Sequence, residues 1–525
     1  MSRISTPAKV VMNQQLNTVE EEEEQVEQSD IVREHEMGYK QELYRGFSPL
    51  MSFAFCFTSV NVLTSMSISF TYALHTGGSA VAVWSWLIGS IFTNLVGLSL
   101  AEICSVYPSA GSVYYWAGQL VPIQYAPLSS FICGWFNFVG NVAANAAFSS
   151  GFATIVNAAL ILDGKDSLST GAEVGISIGI TILWAIQNTF RIDQQGWLNN
   201  VAAAIQIAST IGIVIVLFTL APERASAQHV FLSTYNATGF PHPYMYCIGI
   251  LTTLFSLAGY EAPRGIMGTC LTGSLVGAAY LLALLFAIPD IPSFVETNSS
   301  ENSSINFAVA TYRLAVPHRG ALVLTILLIL NIYFAGISGM TVTSRIGFAM
   351  ARDGVFPLSS YLRWIFPRTK SPLATIALVM TMDFLLLLLQ LVSTTAFSAI
   401  ISIATLGFQL SYVLPIIFRC TVARKTFPIG DFNLGRYAVP IAVLSVVWLI
   451  ITSVFMFFPA KYPVTSDNMN YTVAVIAGIA LIAATYWIFS ARHWFKGPKR
   501  YHHDSNLFQT FSLATVHGEK IIFLS

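Results

Sequence analysis

Long apolar runs recur about twelve times between Ser48 and Ser490, and they leave this chain few ways to fold. They lie near 48–75, 80–101, 126–152, 174–190, 197–220, 243–262, 266–289, 320–344, 373–392, 396–417, 438–458 and 471–490. About 20 helical residues cross the roughly 30 Å of hydrocarbon in a bilayer, and most of these runs reach that length. Inside hydrocarbon every backbone N–H and C=O must find a partner without water, which leaves helices or closed barrels. The alternation of a barrel strand is absent, so the expected fold is an all-α integral membrane protein with about 12 transmembrane helices.

Composition agrees in amount and in address. Charged residues make up 10% of the 525 and hydrophobic ones 54%, where a soluble domain carries about a quarter charged. The charges gather in residues 1–45, in short loops and after Arg492. Residues 1–45, with the run Glu20 to Glu24, read as a disordered acidic tail, residues 46–490 as the membrane domain, and 491–525 as a second tail. A formal net charge of zero gives no reason to expect a nucleic-acid partner; the lipid bilayer is the partner that the composition demands. The six cysteines sit in or at the ends of apolar runs and read as small buried hydrophobes, with no metal or disulfide spacing.

Orientation follows from the basic residues. With a cytosolic N-terminus, the inner loops hold Arg191, Arg264, Arg345, Arg352, Arg363, Arg368, Lys370, Arg419, Arg424, Lys425 and Arg436. The other side keeps only Lys165, Arg224, Arg313, Arg319 and Lys461, as the positive-inside rule expects. Glycan acceptor triplets at Asn236, Asn298, Asn302 and Asn470 all fall on that other side. Both termini are therefore expected in the cytosol, and the chain in the plasma membrane or an endomembrane.

Chemistry has few places to sit. No HExxH, GxSxG or phosphate-loop pattern occurs, and no cofactor is implied, so an enzyme is not expected. His75 reads as an interfacial residue at the end of the first run. The stretch Phe255-Ser256-Leu257-Ala258-Gly259-Tyr260-Glu261-Ala262-Pro263 joins a serine, a glycine, an acid and a proline to the end of an apolar run. Interrupted helices at membrane depth expose backbone groups that hold solutes, and an acid there is a candidate for a substrate ammonium or a coupling proton. Ser59, Asn61, Thr64, Ser65, Ser67 and Ser69 crowd the first run, where they either line a site or tie helices together. Asn137, Asn141 and Asn145 share one helical face and favour helix-to-helix hydrogen bonds, while Asp383 has no assignment.

Several stretches resemble the amino acid-polyamine-organocation permeases, in the eukaryotic amino acid/choline branch with GABA permeases and bidirectional amino acid transporters. They are Gly46-Phe47-Ser48, the run from Ser99 through Glu102 and Tyr107-Pro108 to Trp116, Gly134-Trp135-Phe136-Asn137, Gly259-Tyr260-Glu261-Ala262, Ser344-Arg345, Ala351-Arg352-Asp353-Gly354 and Phe427-Pro428-Gly430. The resemblance covers roughly residues 38–500. It implies the leucine-transporter fold, with spans one to five and six to ten as inverted repeats and spans one and six broken at mid-depth. It also implies that a solute carboxylate meets the backbone near Leu63, Thr64, Ser65 and Met66, facing Ser256, Leu257, Ala258, Gly259, Tyr260 and Glu261. The activity implied is secondary transport of an amino acid or related amine such as GABA or choline by alternating access.

The pattern departs from the family at one place. Pro263 is followed at once by Arg264-Gly265-Ile266, so a dozen or more residues that would form the inner half of the sixth span are missing. Residues 243–262 still suffice to cross as one helix, which would move Glu261 to the cytosolic surface. The alternative function is then a transport-inactive solute sensor or partner subunit.

Overall fold

The computed structural model describes residues 49–109, 111–190, 192–259, 265–299, 305–392, 395–465 and 468–500. Tyr260, Glu261, the Pro263-Arg264 junction, Asn302 and the tails before Pro49 and after Arg500 lie outside the described residues. The described residues up to Gly497 form one compact unit.

Among the described residues the unit is all helical apart from one isolated bridge, Phe366 to Ser371. Its helices are α1 (Pro49–Val60), α2 (Val62–His75), α3 (Gly78–Val106), α4 (Ser112–Gln119), α5 (Ala126–Leu162), α6 (Thr170–Gln187) and α7 (Ile192–Leu220). There follow α8 (Ala227–Leu232), α9 (His242–Ile248), α10 (Leu251–Ser256), α11 (Ile266–Phe286), α12 (Ile291–Asn298) and α13 (Phe307–Ala315). The remainder are α14 (His318–Asp353), α15 (Ser359–Leu362), α16 (Leu373–Leu388), α17 (Ala396–Cys420), α18 (Ala438–Phe455) and α19 (Thr472–Phe489). Starts follow ordinary capping: the Ser169 hydroxyl accepts from the Ala172 amide ahead of α6, and the Asn306 carbonyl oxygen accepts from Ala308 and Val309 ahead of α13. α14 ends where Gly354 takes φ 92°, a left-handed cap that a Cβ disfavours.

Eleven membrane-length apolar helices occur among the described residues, one fewer than the twelve runs. The missing one is the run 243–262. It forms α9 and α10, separated by a turn at Gly249 and Ile250, and helix stops at Ser256. From His242 to Ser256 that is about 22 Å of rise, well short of a crossing. The single crossing helix expected over 243–262 is therefore not what forms. Leu257, Ala258 and Gly259 are non-helical, and Gly259 takes φ 85°, which only a glycine adopts without strain.

α5 is the centre of the bundle: α4, α6, α14, α16 and α17 all pack on it. At its crossing with α17 the backbones touch, since a Cβ on Gly407 would lie 2.4 Å from Gly140 Cα. The loops holding Asn236, Asn298 and Asn470 gather at one end of the bundle. There the Tyr462 amide donates to the Thr238 carbonyl (2.7 Å) and the Ala237 amide to the His75 carbonyl (3.1 Å). His75 Nε2 lies 3.2 Å from the Ser299 hydroxyl. This end is called the sequon face here. The opposite, basic face carries the loops after α3, α6, α14 and α17, tied together by Ser371 Oγ donating to the Phe190 carbonyl (3.0 Å) and Ser105 Oγ to the Phe432 carbonyl (2.9 Å). Large apolar side chains such as Ile91, Ile215, Leu275, Val447 and Leu481 are exposed on the flanks, where lipid tails replace water.

Candidate functional site

The first span is broken, and a polar residue breaks it. Asn61 sits between α1 and α2 in the left-handed region, φ 32° and ψ 73°, which asparagine tolerates better than most residues. Its side chain accepts from the Thr64 amide (3.2 Å) and donates to the Asn331 carbonyl on α14 (3.2 Å). Two backbone bonds still span the joint, Asn61 N to Phe57 O (3.1 Å) and Ser65 N to Asn61 O (3.0 Å). Among the described residues, the amides of Val62 and Leu63 find no partner across it. The run has no glycine between Gly46 and Gly77, and the asparagine supplies the break instead.

The two interrupted helices lie side by side and run in opposite directions. Tyr72 Oη donates to the Ile248 carbonyl (3.3 Å), Thr252 Oγ1 donates to the Ser69 carbonyl (3.2 Å), and a Cβ on Gly273 would touch both Val62 (3.2 Å) and Leu257 (3.8 Å). As numbers fall along α2, their partners rise along α9 and α10. The end of α10 is consequently level with the Asn61 joint, about 10 Å along α11 from its basic-face start. Leu63, Thr64, Ser65, Met66, Ser256 and Leu257 are all buried there, and Ala258 and Gly259 partly so. Gly259 donates its amide to Tyr412 Oη (3.2 Å) on α17, beside Phe408.

Thr64 Oγ1 and Ser256 Oγ at this level have no hydrogen-bond partner, and neither does Thr58 Oγ1 on the other side of the joint. A buried hydroxyl left unpaired costs about 1–3 kcal/mol, so such groups mark where a ligand or water belongs. Three serines of the first run bond back along the chain: Ser65 Oγ donates to the Asn61 carbonyl (3.1 Å), Ser67 Oγ to Leu63 (2.6 Å) and Ser69 Oγ to Ser65 (2.6 Å). Ser67 also reaches Tyr280 Oη (2.6 Å), which in turn meets Tyr312 Oη (2.6 Å). Of the three asparagines of α5, Asn137 donates to Ser411 Oγ on α17 (3.4 Å) and Asn145 to Thr343 Oγ1 on α14 (2.9 Å). Asn141 donates to the Asn137 carbonyl of its own helix (2.9 Å).

Above this level a cavity of about 1190 Å³ leads to the sequon face, with Lys461 and Asn470 at its mouth and Ile68, Ser69, Leu251, Thr252, Ile401 and Ser402 along its floor. One helical turn, about 6 Å, separates Ser69 and Thr252 from Ser65 and Ser256. Phe148 and Phe255, ring centroids 6.2 Å apart and both buried, lie in that interval. On the opposite side lies a joint of family-like residues. Glu102, 2% exposed, meets Arg419 Nη2 at 3.4 Å and accepts from the Leu434 amide at 3.4 Å, and the Arg419 guanidinium lies 4.0 Å over the Phe427 ring.

The family whose model is described as amino acid permease matches residues 47–481. The chain belongs to that family. The permease is 34% identical to the amino-acid permease BAT1 of Arabidopsis thaliana over 497 residues, covering 89% of this chain and 96% of the relative. A BAT1 homolog from Oryza sativa subsp. japonica is 35% identical, with 89% and 95% covered. A putative polyamine transporter of Candida albicans is 26% identical, with 88% of each chain covered. The alignment to BAT1 runs over more positions than this chain supplies residues for, so some positions of the relative have no counterpart here. The permease is an integral, multi-pass membrane protein and not an enzyme.

Sequence reasoning missed the capping role of Asn61, although a side chain that can cap and tolerate positive φ was the signal available for it. It also treated the stretch from Glu102 to Trp116 only as a likeness. In the permease that stretch is the basic-face joint, where Trp116 Nε1 donates to the Tyr107 carbonyl (2.7 Å) and Tyr114 Oη to Asp353 Oδ2 (3.1 Å). Ser105 packs under Gly430, so the stretch from Ser99 to Trp116 meets those ending at Asp353-Gly354 and Gly430.

Proposed function

We propose that the permease moves amino acids or related amines across the membrane by alternating access, with the sequon face outside and both tails in the cytosol. The observation that carries this reading is the meeting of two interrupted helices at one depth, with unpaired Thr64 and Ser256 hydroxyls and open Val62 and Leu63 amides, beneath a cavity from one face. A solute carboxylate would sit on the amide-rich start of α2, near Leu63 to Met66, where the helix dipole favours negative charge. Its ammonium would face the carbonyl end of α10, with Glu261 beyond it as the acid for the amine or for a coupling proton. Relatives named as amino-acid permeases and a putative polyamine transporter support this class of solute, and GABA and choline belong to the same chemistry. An inverted repeat fits the opposed, side-by-side course of the two broken helices.

The ending of α10 at Ser256 favours a second reading, a solute-binding sensor or partner subunit that does not transport. Purified protein in vesicles, offered radiolabelled amino acids, GABA, choline and polyamines, separates the two. Saturable flux supports transport; saturable binding with no flux supports the sensor. Neither binding nor flux with any of these solutes removes both.

A further inference from the structure

A carboxylic acid lies buried in the membrane bundle away from the two broken helices. Asp383 is on α16, fully buried, and neither of its oxygens has a hydrogen-bond partner. A carboxylate is not held this way, because an ion removed from water needs a counter-charge or several donors. The buried face of α16 is Thr375, Ile376, Val379, Asp383 and Leu387, and α16 packs on α5, α6 and α14.

The titratable groups on the packed elements are few. α5 carries Cys133 near its basic-face end, and α6 carries Glu173 near the sequon face, where it accepts from Asn157 Nδ2 (2.5 Å). α14 has His318 and Arg319 at its start, Tyr333 beside Gln187, and Arg345, Arg352 and Asp353 toward its basic-face end; α15 adds Tyr361. None of these hydrogen-bonds or pairs with Asp383. A hard cation would need several oxygens converging on it. No group of three or more His, Cys, Asp or Glu side chains that could hold one occurs among the described residues.

A proton needs only the one carboxyl, and a route from water is short. Asp383, Leu387 and Gln390 follow at i, i+4 and i+7, and Gln390 lines the cavity, accepting from Ser150 Oγ (3.1 Å). Gln390 Nε2 is buried and unpaired, so the amide has a hydrogen left to offer a water or a carboxylate. Leu387, fully buried, follows Asp383 on that face. α5 and α14 pack both on α16 and on α2, so a change of charge at Asp383 bears on the helices that frame the broken span.

We propose that Asp383 is a proton-exchange site of the permease, and, resting on the transport reading above, that its proton couples solute movement to a proton gradient. The carboxylate takes a proton from water admitted past Leu387 and Gln390, holds it while the site is closed, and returns it to water when the bundle rearranges; no other bond forms or breaks.

The test uses the full chain in lipid vesicles and dicyclohexylcarbodiimide, which modifies protonated carboxyls in apolar surroundings. Peptide mapping should find Asp383 labelled at neutral pH, with labelling falling as the pH is raised. Asp383→Asn should transport solute by exchange but accumulate none above the level reached without a pH gradient, and Asp383→Glu should restore pH-responsive labelling. No label at neutral pH in folded wild-type protein overturns the proposal. So does labelling that is the same from acid to alkaline pH, which marks a permanently neutral structural acid, or gradient-driven accumulation by Asp383→Asn equal to wild type. If the wild type moves none of the solutes, the transport reading fails, and the labelling arm alone still decides whether Asp383 exchanges protons.

Discussion

Asn61 does three things that no neighbouring residue could do together: it accepts a left-handed backbone, caps α2 and anchors the joint to α14. Replacing it with leucine removes the cap and forces a poorly tolerated φ, for a combined loss of about 2 kcal/mol. The expected outcome is a lower thermal midpoint and loss of solute binding, while Asn61→Gly keeps the backbone and loses mainly the anchor. Thermal unfolding in detergent and a binding isotherm check both. Glu102 and Arg419 form the other residue-scale lever, because both are largely buried. Glu102→Ala strands the guanidinium and should destabilise by about 3 kcal/mol, whereas the double variant with Arg419→Ala should recover part of that loss. A double-mutant cycle with no coupling between the two positions would show that the joint does not depend on this pair.

Among the elements, the sixth span departs furthest from expectation. Its first half keeps its place beside α2, so the loss falls entirely on the second half, between Ser256 at mid-depth and Ile266 at the start of α11. The level of Ser256 lies about 10 Å along α11 from its start, and a stretch of that length rises about 15 Å as a helix and reaches about 33 Å extended, so α11 still begins at the basic face. Topological parity thus survives a missing half-helix, as the Ala225 amide bonded to the Phe286 carbonyl confirms at the sequon end of α11. Non-helical backbone at that depth is stable only where protein or water covers it. Inserting about twelve helix-forming residues after Glu261 is expected to raise solute flux well above that of the chain as it stands, measured in the same vesicles. Equal flux with and without the insert would mean that the short link is sufficient for the cycle.

Across the described residues, the two faces differ. The cavity descends from the sequon face to Ser69 and Thr252, and the joint of Glu102, Arg419 and Phe427 lies at the basic face. Three of the four acceptor asparagines lie on the sequon face, each donating its amide nitrogen to a backbone carbonyl: Asn236 to Phe240 (2.7 Å), Asn298 to Phe294 (2.8 Å), and Asn470 to Met456 and Phe458 (both 2.9 Å). Asn470 is the most constrained and lines the cavity mouth, so glycan is expected on Asn236 or Asn298 before Asn470. Expression in a eukaryotic secretory system should give a glycosidase-sensitive mass shift that disappears when Asn236, Asn298 and Asn302 are all changed to Gln. No shift in the wild type would count against the orientation proposed for the two faces.

The amino-acid sequence was enough to locate eleven of the spanning helices, because hydrocarbon admits no unsatisfied backbone and about 20 apolar residues in a row favour a crossing helix. Seen alone, it also located the polar stretches at Thr64 and Ser256, since such groups stand out wherever neighbours are apolar. It could not say which hydroxyls were spent: Ser65, Ser67 and Ser69 look no different from Thr64 and Ser256 until their carbonyl partners are in place. Nor could it rank a helix of residues 243–262 against the shorter α9 and α10, because length permits the crossing and only packing against α2, α3 and α17 holds the half-helix at mid-depth. Asp383 is the same case at its simplest. One letter in an apolar run shows that an acid enters the membrane, and tertiary structure alone decides that nothing there meets its charge.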